Sequence, residues 1–111
     1  MDFFKKLFND NSITPQEARK RMEQADNHVL LDVRTPPEYK QIRIKGAKLI
    51  PVDELRGRAA AELPNKDAPV LVYCQSGVRS KNAVAVLNSM GYKNAVSFGG
   101  IINWPYETEK G

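Results

Sequence analysis

A chain of 111 residues has room for one hydrophobic core and little for a second. Hydrophobic residues make up 41% and charged residues 27%, and no run approaches the roughly 20 apolar residues of a membrane helix, which argues against a membrane span. A net charge of +4 suits attraction of small anions or an acidic partner, while sparse aromatics and the lack of a dense Lys/Arg run argue against nucleic acid.

Residues 1–11 read as an N-terminal tail and residues 12–111 as a single domain. Within the tail, Phe3-Phe4-Lys5-Lys6-Leu7-Phe8 is a short amphipathic stretch. Its lysines interrupt it before a signal-peptide apolar region can form, so the chain is expected to be cytoplasmic. Thr14-Pro15-Gln16-Glu17 opens the first helix, with Thr14 as cap, Pro15 at the first helical position and Glu17 able to complete a capping box. Ala18, Met22 and Ala25 form its apolar stripe. His28 to Val33 is a short run of branched apolar residues, expected as a strand covered on both faces. Pro36-Pro37-Glu38-Tyr39 can start a short helix, Ala47 to Ile50 a second strand, and Asp53 to Leu63 a helix that buries Leu55, Ala59 and Leu63. Pro69 to Cys74 is the best strand of the chain. A polar loop, Gln75-Ser76-Gly77-Val78, leads into a helix through about Met90 that Gly91 ends. Ala95 to Phe98 is the last strand, followed by a Gly99-Gly100 turn and a short segment around Trp104. Strands alternate with helices throughout, which predicts an α/β domain with a mainly parallel sheet and helices on both faces. Sites in such sheets form at the carboxyl ends of strands, and Cys74 lies at one.

Cys74 is the only cysteine, which excludes an internal disulfide and a site built on several thiolates; the only histidine is His28. A thiol becomes a nucleophile as its thiolate, and helix N-termini and cations favour that form. A helix begins within a few residues of Cys74, and Arg79 falls in its first turn. The loop N–H groups lack helical partners and can converge into an anion cradle around the sulfur, with Gly77 supplying a positive φ. Such a thiolate could attack the outer sulfur of an anionic donor and keep it as a persulfide. It could equally attack phosphorus or arsenic.

The segment Cys74-Gln75-Ser76-Gly77-Val78-Arg79-Ser80 resembles the active-site loop of single-domain rhodanese-like sulfurtransferases, in which cysteine and arginine enclose four residues. Related dual-specificity phosphatases carry one residue more, so the shorter spacing favours sulfur. Three further segments resemble family motifs: Leu30 to Tyr39, Ile44-Lys45-Gly46-Ala47 with Ile50-Pro51, and Gly99-Gly100-Ile101 with Trp104. Together they span about Ile13 to Trp104. The resemblance implies a three-layer α/β/α fold with a mainly parallel central sheet and no cofactor or metal. It also implies a small anionic sulfur donor, and an external thiol, cyanide or protein as acceptor. Catalysis would fall to Cys74 and Arg79, anion binding to Gln75, Ser76, Gly77, Val78 and Ser80 mainly through their backbones, and support to Asp32, Arg34 and Glu38. For these last three the residues themselves suggest an Arg34–Glu38 ion pair and an Asp32 bonded to loop backbone, with Arg34 at the substrate mouth as the functional alternative. Arg43 and Lys81 read as solvated cations able to guide an anion, and Trp104 as packing. Two places depart from the family: Ile42-Arg43 replaces the usual Gly-His, and the polar C-terminus after Pro105 lacks the usual small and apolar residues and is expected to be frayed or partner-specific. A non-catalytic binding module, or a phosphatase or arsenate reductase, are the rival readings.

Overall fold

A computed structural model describes residues 12–111. The elements run α1 (Pro15–Gln24), β1 (Val29–Asp32), α2 (Pro36–Gln41), β2 (Arg43–Ile44), β3 (Lys48–Leu49), a 3-10 turn (Val52–Glu54), α3 (Leu55–Glu62), β4 (Val70–Cys74), α4 (Val78–Ser89), β5 (Ala95–Gly100), a second 3-10 turn (Ile101–Asn103) and β6 (Thr108–Glu109). The amphipathic stretch Phe3–Phe8 lies outside the described residues. Four strands form a parallel sheet in the order β3-β1-β4-β5. A two-stranded antiparallel ribbon, β2 with β6, stands apart from it.

Strand alternation divides the core in two. Leu31, Val33, Val70, Val72, Cys74 and Ala95 meet Leu55, Ala59 and Leu63 of the α3 segment and Ala83, Val84 and Leu87 of α4 on one face. Leu30, Leu71, Tyr73 and Phe98 meet Ala18 of α1 on the other, with Tyr39 of α2 packed alongside. This is the α/β/α sandwich expected from the alternation. Full burial of each large apolar side chain contributes about 1.5–3 kcal/mol, so neither helical layer is dispensable. Cys74 is the last rung of the α3/α4 face.

Local details differ from the expectation. The Thr14 hydroxyl accepts from the Glu17 N–H at 3.0 Å, but the Glu17 carboxylate is taken by Arg21 at 3.1 Å, so the box stays half made. The complete capping box is at Thr35 and Glu38, where Glu38 Oε1 accepts from Thr35 N at 2.9 Å. Gly99 and Gly100 are not a turn beyond the last strand but its end, since Gly100 pairs with Cys74. The C-terminus is not frayed. Its strand β6 is aligned with β2 so that Arg43 faces Glu109, and Arg43 Nε donates to Glu109 Oε2 at 3.1 Å. The two departures from the family pattern therefore meet in one ribbon. Arg43 also donates to the Tyr39 carbonyl and lies over the Tyr39 ring, so it is a structural cation rather than a solvated one.

Candidate active site

The parallel register carries Cys74 to the carboxyl end of β4, where the chain turns and enters α4. Gly77 makes that turn at φ +116°, a conformation that side chains rarely adopt, and serves as the helix N-cap. Its N–H donates to Cys74 Sγ at 3.0 Å. The thiol lies 3.6 Å from Ser80 Oγ and is 1% exposed. Burial alone would push the Cys74 thiol up. The Ser80 hydroxyl, with the backbone N–H groups of Ser80, Gly77 and Ser76, outweighs burial and holds the thiol below its ordinary value. The loop thus closes its N–H groups around the sulfur.

A residue that the sequence did not single out completes it. Ser97 lies two positions beyond Ala95 on β5, opposite Val72, and is buried. Its hydroxyl accepts from Gly99 N at 3.2 Å and lies 2.8 Å from Ser80 Oγ. With the thiol protonated, the Ser80 hydroxyl donates to the Gly77 carbonyl at 3.0 Å. With the thiolate formed it can turn to the sulfur, and donation then runs from Gly99 N–H to Ser97, from Ser97 to Ser80 and from Ser80 to sulfur, each bond polarising the next. Ser97→Ala is expected to raise the Cys74 thiol pKa. The check is the pH dependence of alkylation by iodoacetamide, with a slower rate near neutral pH in the variant.

The ion pairs are exchanged relative to the sequence reading. Arg34 does not pair with Glu38. Its Nε and Nη2 bind Asp32 Oδ1 and Oδ2 at 3.0 and 2.8 Å, its Nη2 reaches the Ile42 carbonyl, and its Nη1 reaches Gln75 Oε1 at 3.3 Å. Arg34 is 1% and Asp32 0% exposed, so the guanidinium is an internal brace and not part of an open substrate mouth. Asp32 Oδ1 also accepts from the Arg34 N–H at 2.9 Å, the backbone bond anticipated for it. The Gln75 side chain, expected to act less than its backbone, ties the loop to Arg34 just beyond β1. Glu38 instead pairs with Arg79 through two bonds of 2.8 and 3.0 Å. Hydrogen bonding from Arg79 and from Thr35 overcomes partial burial and holds the Glu38 carboxyl down at about 2. Arg79 senses the Cys74 charge, but its guanidinium is engaged by a carboxylate.

Other candidates fall away from the chemistry. His28 is half-buried at the opposite end of β1, with Nδ1 2.7 Å from the Ala25 carbonyl. Trp104 packs on Phe98 and Tyr106 and donates to the Glu107 carbonyl. Lys81 is exposed on α4, at the edge of an open groove of about 300 Å³ that Ser76, Gly77 and Val78 border. Gly100 closes the loop from beneath. A Cβ there would overlap the Gln75 carbonyl oxygen and approach Ser76 Cα to 2.6 Å, and neither is a flexible side-chain end. Gly100→Ala is expected to cost about 1–3 kcal/mol or more by overpacking, read as a lower urea midpoint together with reduced activity.

The molecule is thus a parallel α/β/α sandwich whose single cysteine stands at a strand end, ringed by backbone N–H groups. The rhodanese-like domain family matches residues 14–105, and the chain belongs to it. It is 38% identical over 96 residues to the probable adenylyltransferase/sulfurtransferase MoeZ of Mycobacterium tuberculosis, covering 85% of this chain but 24% of that protein. It is 39% identical over 71 residues to the thiosulfate sulfurtransferase PspE of Escherichia coli, covering 64% of this chain and 68% of PspE. Among solved structures, an E. coli rhodanese with anions superposes with a TM-score of 0.72 at 36% identity, covering 76% of this chain and 99% of that one. The chain thus spans about a quarter of MoeZ and most of the small relatives. No helix among the described residues is long and apolar enough to cross a membrane.

Proposed function

We propose that the protein is a sulfurtransferase that carries a sulfane sulfur on Cys74. The observation behind this reading is the direct N–H bond from Gly77 to Cys74 Sγ at 3.0 Å within a loop that lowers the thiol pKa. The Cys74 thiolate attacks the outer sulfur of thiosulfate or of a persulfide donor. A new S–S bond forms, the donor's own bond to that sulfur breaks, and sulfite or a thiolate leaves with the electron pair. The resulting Cys74 persulfide is anionic, and the N–H groups of Ser76, Gly77 and Ser80 with the Ser80 hydroxyl are placed to hold that charge. An external nucleophile such as cyanide, a thiol or a protein acceptor then attacks the outer sulfur, and the Cys74 thiolate is regenerated. Since this chain holds no second cysteine, the sulfur passes to an acceptor outside it. Arg79 contributes charge at the rim, tempered by Glu38. We place the protein in the cytoplasm, where thiols stay reduced.

The deciding measurement is intact mass after incubation with thiosulfate. A gain of one sulfur atom that cyanide removes is expected, and its only possible site is Cys74. A mass that stays constant with thiosulfate and with low-molecular-weight persulfides overturns the proposal.

A further inference from the structure

Glu38 sits where an anionic donor would look for a cation. Arg79 is the only charged side chain of the Cys74–Ser80 loop, and both of its terminal nitrogens are donated to Glu38. The carboxylate is itself held in place: Thr35 N donates to Oε1 at 2.9 Å and the Thr35 hydroxyl at 3.0 Å, so it cannot swing away without undoing the first turn of α2. The second guanidinium nearby, Arg34, is bound by Asp32. Both guanidinium charges beside the loop are therefore matched by carboxylates. What remains is the thiolate, the neutral N–H and O–H dipoles around it, and the exposed ammonium of Lys81 at the edge of the groove, which solvent screens. The thiolate repels a dianion about twice as strongly as a monoanion, and no unmatched guanidinium offsets the difference.

We propose that Glu38 selects the charge of the sulfur donor. By neutralising Arg79 it suits the site to monoanionic sulfane donors, such as thiosulfonates or persulfides on uncharged carriers, over dianions such as thiosulfate. This rests on the sulfur-transfer reading above and names the donor class for that site. Methanethiosulfonate and thiosulfate deliver the same outer sulfur to the Cys74 thiolate and differ by one charge. The first releases methanesulfinate and the second releases sulfite, with the electron pair of the broken S–S bond leaving on the departing group in each case.

The test compares kcat/KM for the two donors, with cyanide as acceptor, in the wild type and in Glu38→Gln. Glutamine keeps an oxygen for the Thr35 N–H while removing the charge. The thiosulfate-to-methanethiosulfonate ratio is expected to rise about tenfold in the variant, through a lower KM for thiosulfate, and sulfate is expected to become a stronger competitive inhibitor. A purely structural Glu38 would lower kcat for both donors alike, and an unchanged or falling ratio overturns the proposal. A measurement on the wild type alone guards against a variant that does not fold. Methanesulfonate is expected to inhibit at least as strongly as sulfate; sulfate binding more tightly than methanesulfonate overturns the proposal. Absence of sulfur uptake from either donor would defeat the sulfurtransferase reading, whereas uptake with an unmoved ratio would defeat charge selection alone.

Discussion

Cys74→Ser is expected to lower thiosulfate-to-cyanide transfer by about 10³-fold or more, and to abolish the sulfur-dependent gain in mass. The serine oxygen would occupy the same cradle and accept the same bond from Gly77 N, so anion binding survives while covalent capture does not. A serine hydroxyl does not ionise under these bonds, and oxygen does not form the sulfur–sulfur linkage that stores the transferred atom. No other thiol can substitute, since Cys74 is the only cysteine. Ser80 and Gly77 satisfy the new hydroxyl, so the variant should unfold within about 1 kcal/mol of the wild type. Transfer retained at the wild-type rate would show that the chemistry lies elsewhere.

Arg34→Ala is expected to be among the most destabilising single substitutions, at about 3–5 kcal/mol. The argument concerns what is left behind. Asp32 has no exposed surface, and its two oxygens receive the Arg34 side chain at 2.8–3.1 Å. Truncation strands a buried carboxylate and orphans the Ile42 carbonyl, which Arg34 Nη2 satisfies. Lysine cannot restore the site, because an ammonium lacks the planar fork that serves Asp32, Ile42 and Gln75 together. Urea denaturation measures the loss. The companion Arg34→Ala, Asp32→Asn should recover part of it, because the stranded charge is then gone. A cost below about 1 kcal/mol for Arg34→Ala would show that Asp32 finds water or another donor.

The order of strands and helices was legible because each element carries its own period and its own ends: branched residues in β4, Pro15 and Thr14 at the start of α1, Gly91 after α4. The cradle was legible for the same reason, being a local pattern in which a strand-end thiol, a glycine and a helix start fall within seven residues. The ion pairs were not. Arg34 stands two residues from Asp32 and four from Glu38, and helical spacing favours the second; only the turn after β1, with Asp32 gripping the Arg34 backbone N–H, decides for the first. Arg79 and Glu38 are 41 residues apart, a distance over which charge pattern carries no geometry. Ser97 escaped notice because a lone serine in a strand has no signature, and its meaning comes from the register of β5 on β4. The β2–β6 ribbon is made of two-residue strands, too short for any alternation to show.

Cys74 belongs to the hydrocarbon cluster of the α3/α4 face as fully as Val72 or Leu87 does. The core thus acts as a jig that sets the coordinates of the sulfur proposed as the reacting atom. Misplacement of a reacting group by about 1 Å can cost on the order of 10²-fold in rate, whereas a volume-conserving swap among its apolar neighbours costs less than about 1.5 kcal/mol. Repacked variants of Leu55, Ala83 or Leu87 should therefore betray themselves first in turnover and only later in melting temperature. For this protein the catalytic rate is a finer gauge of core order than stability is.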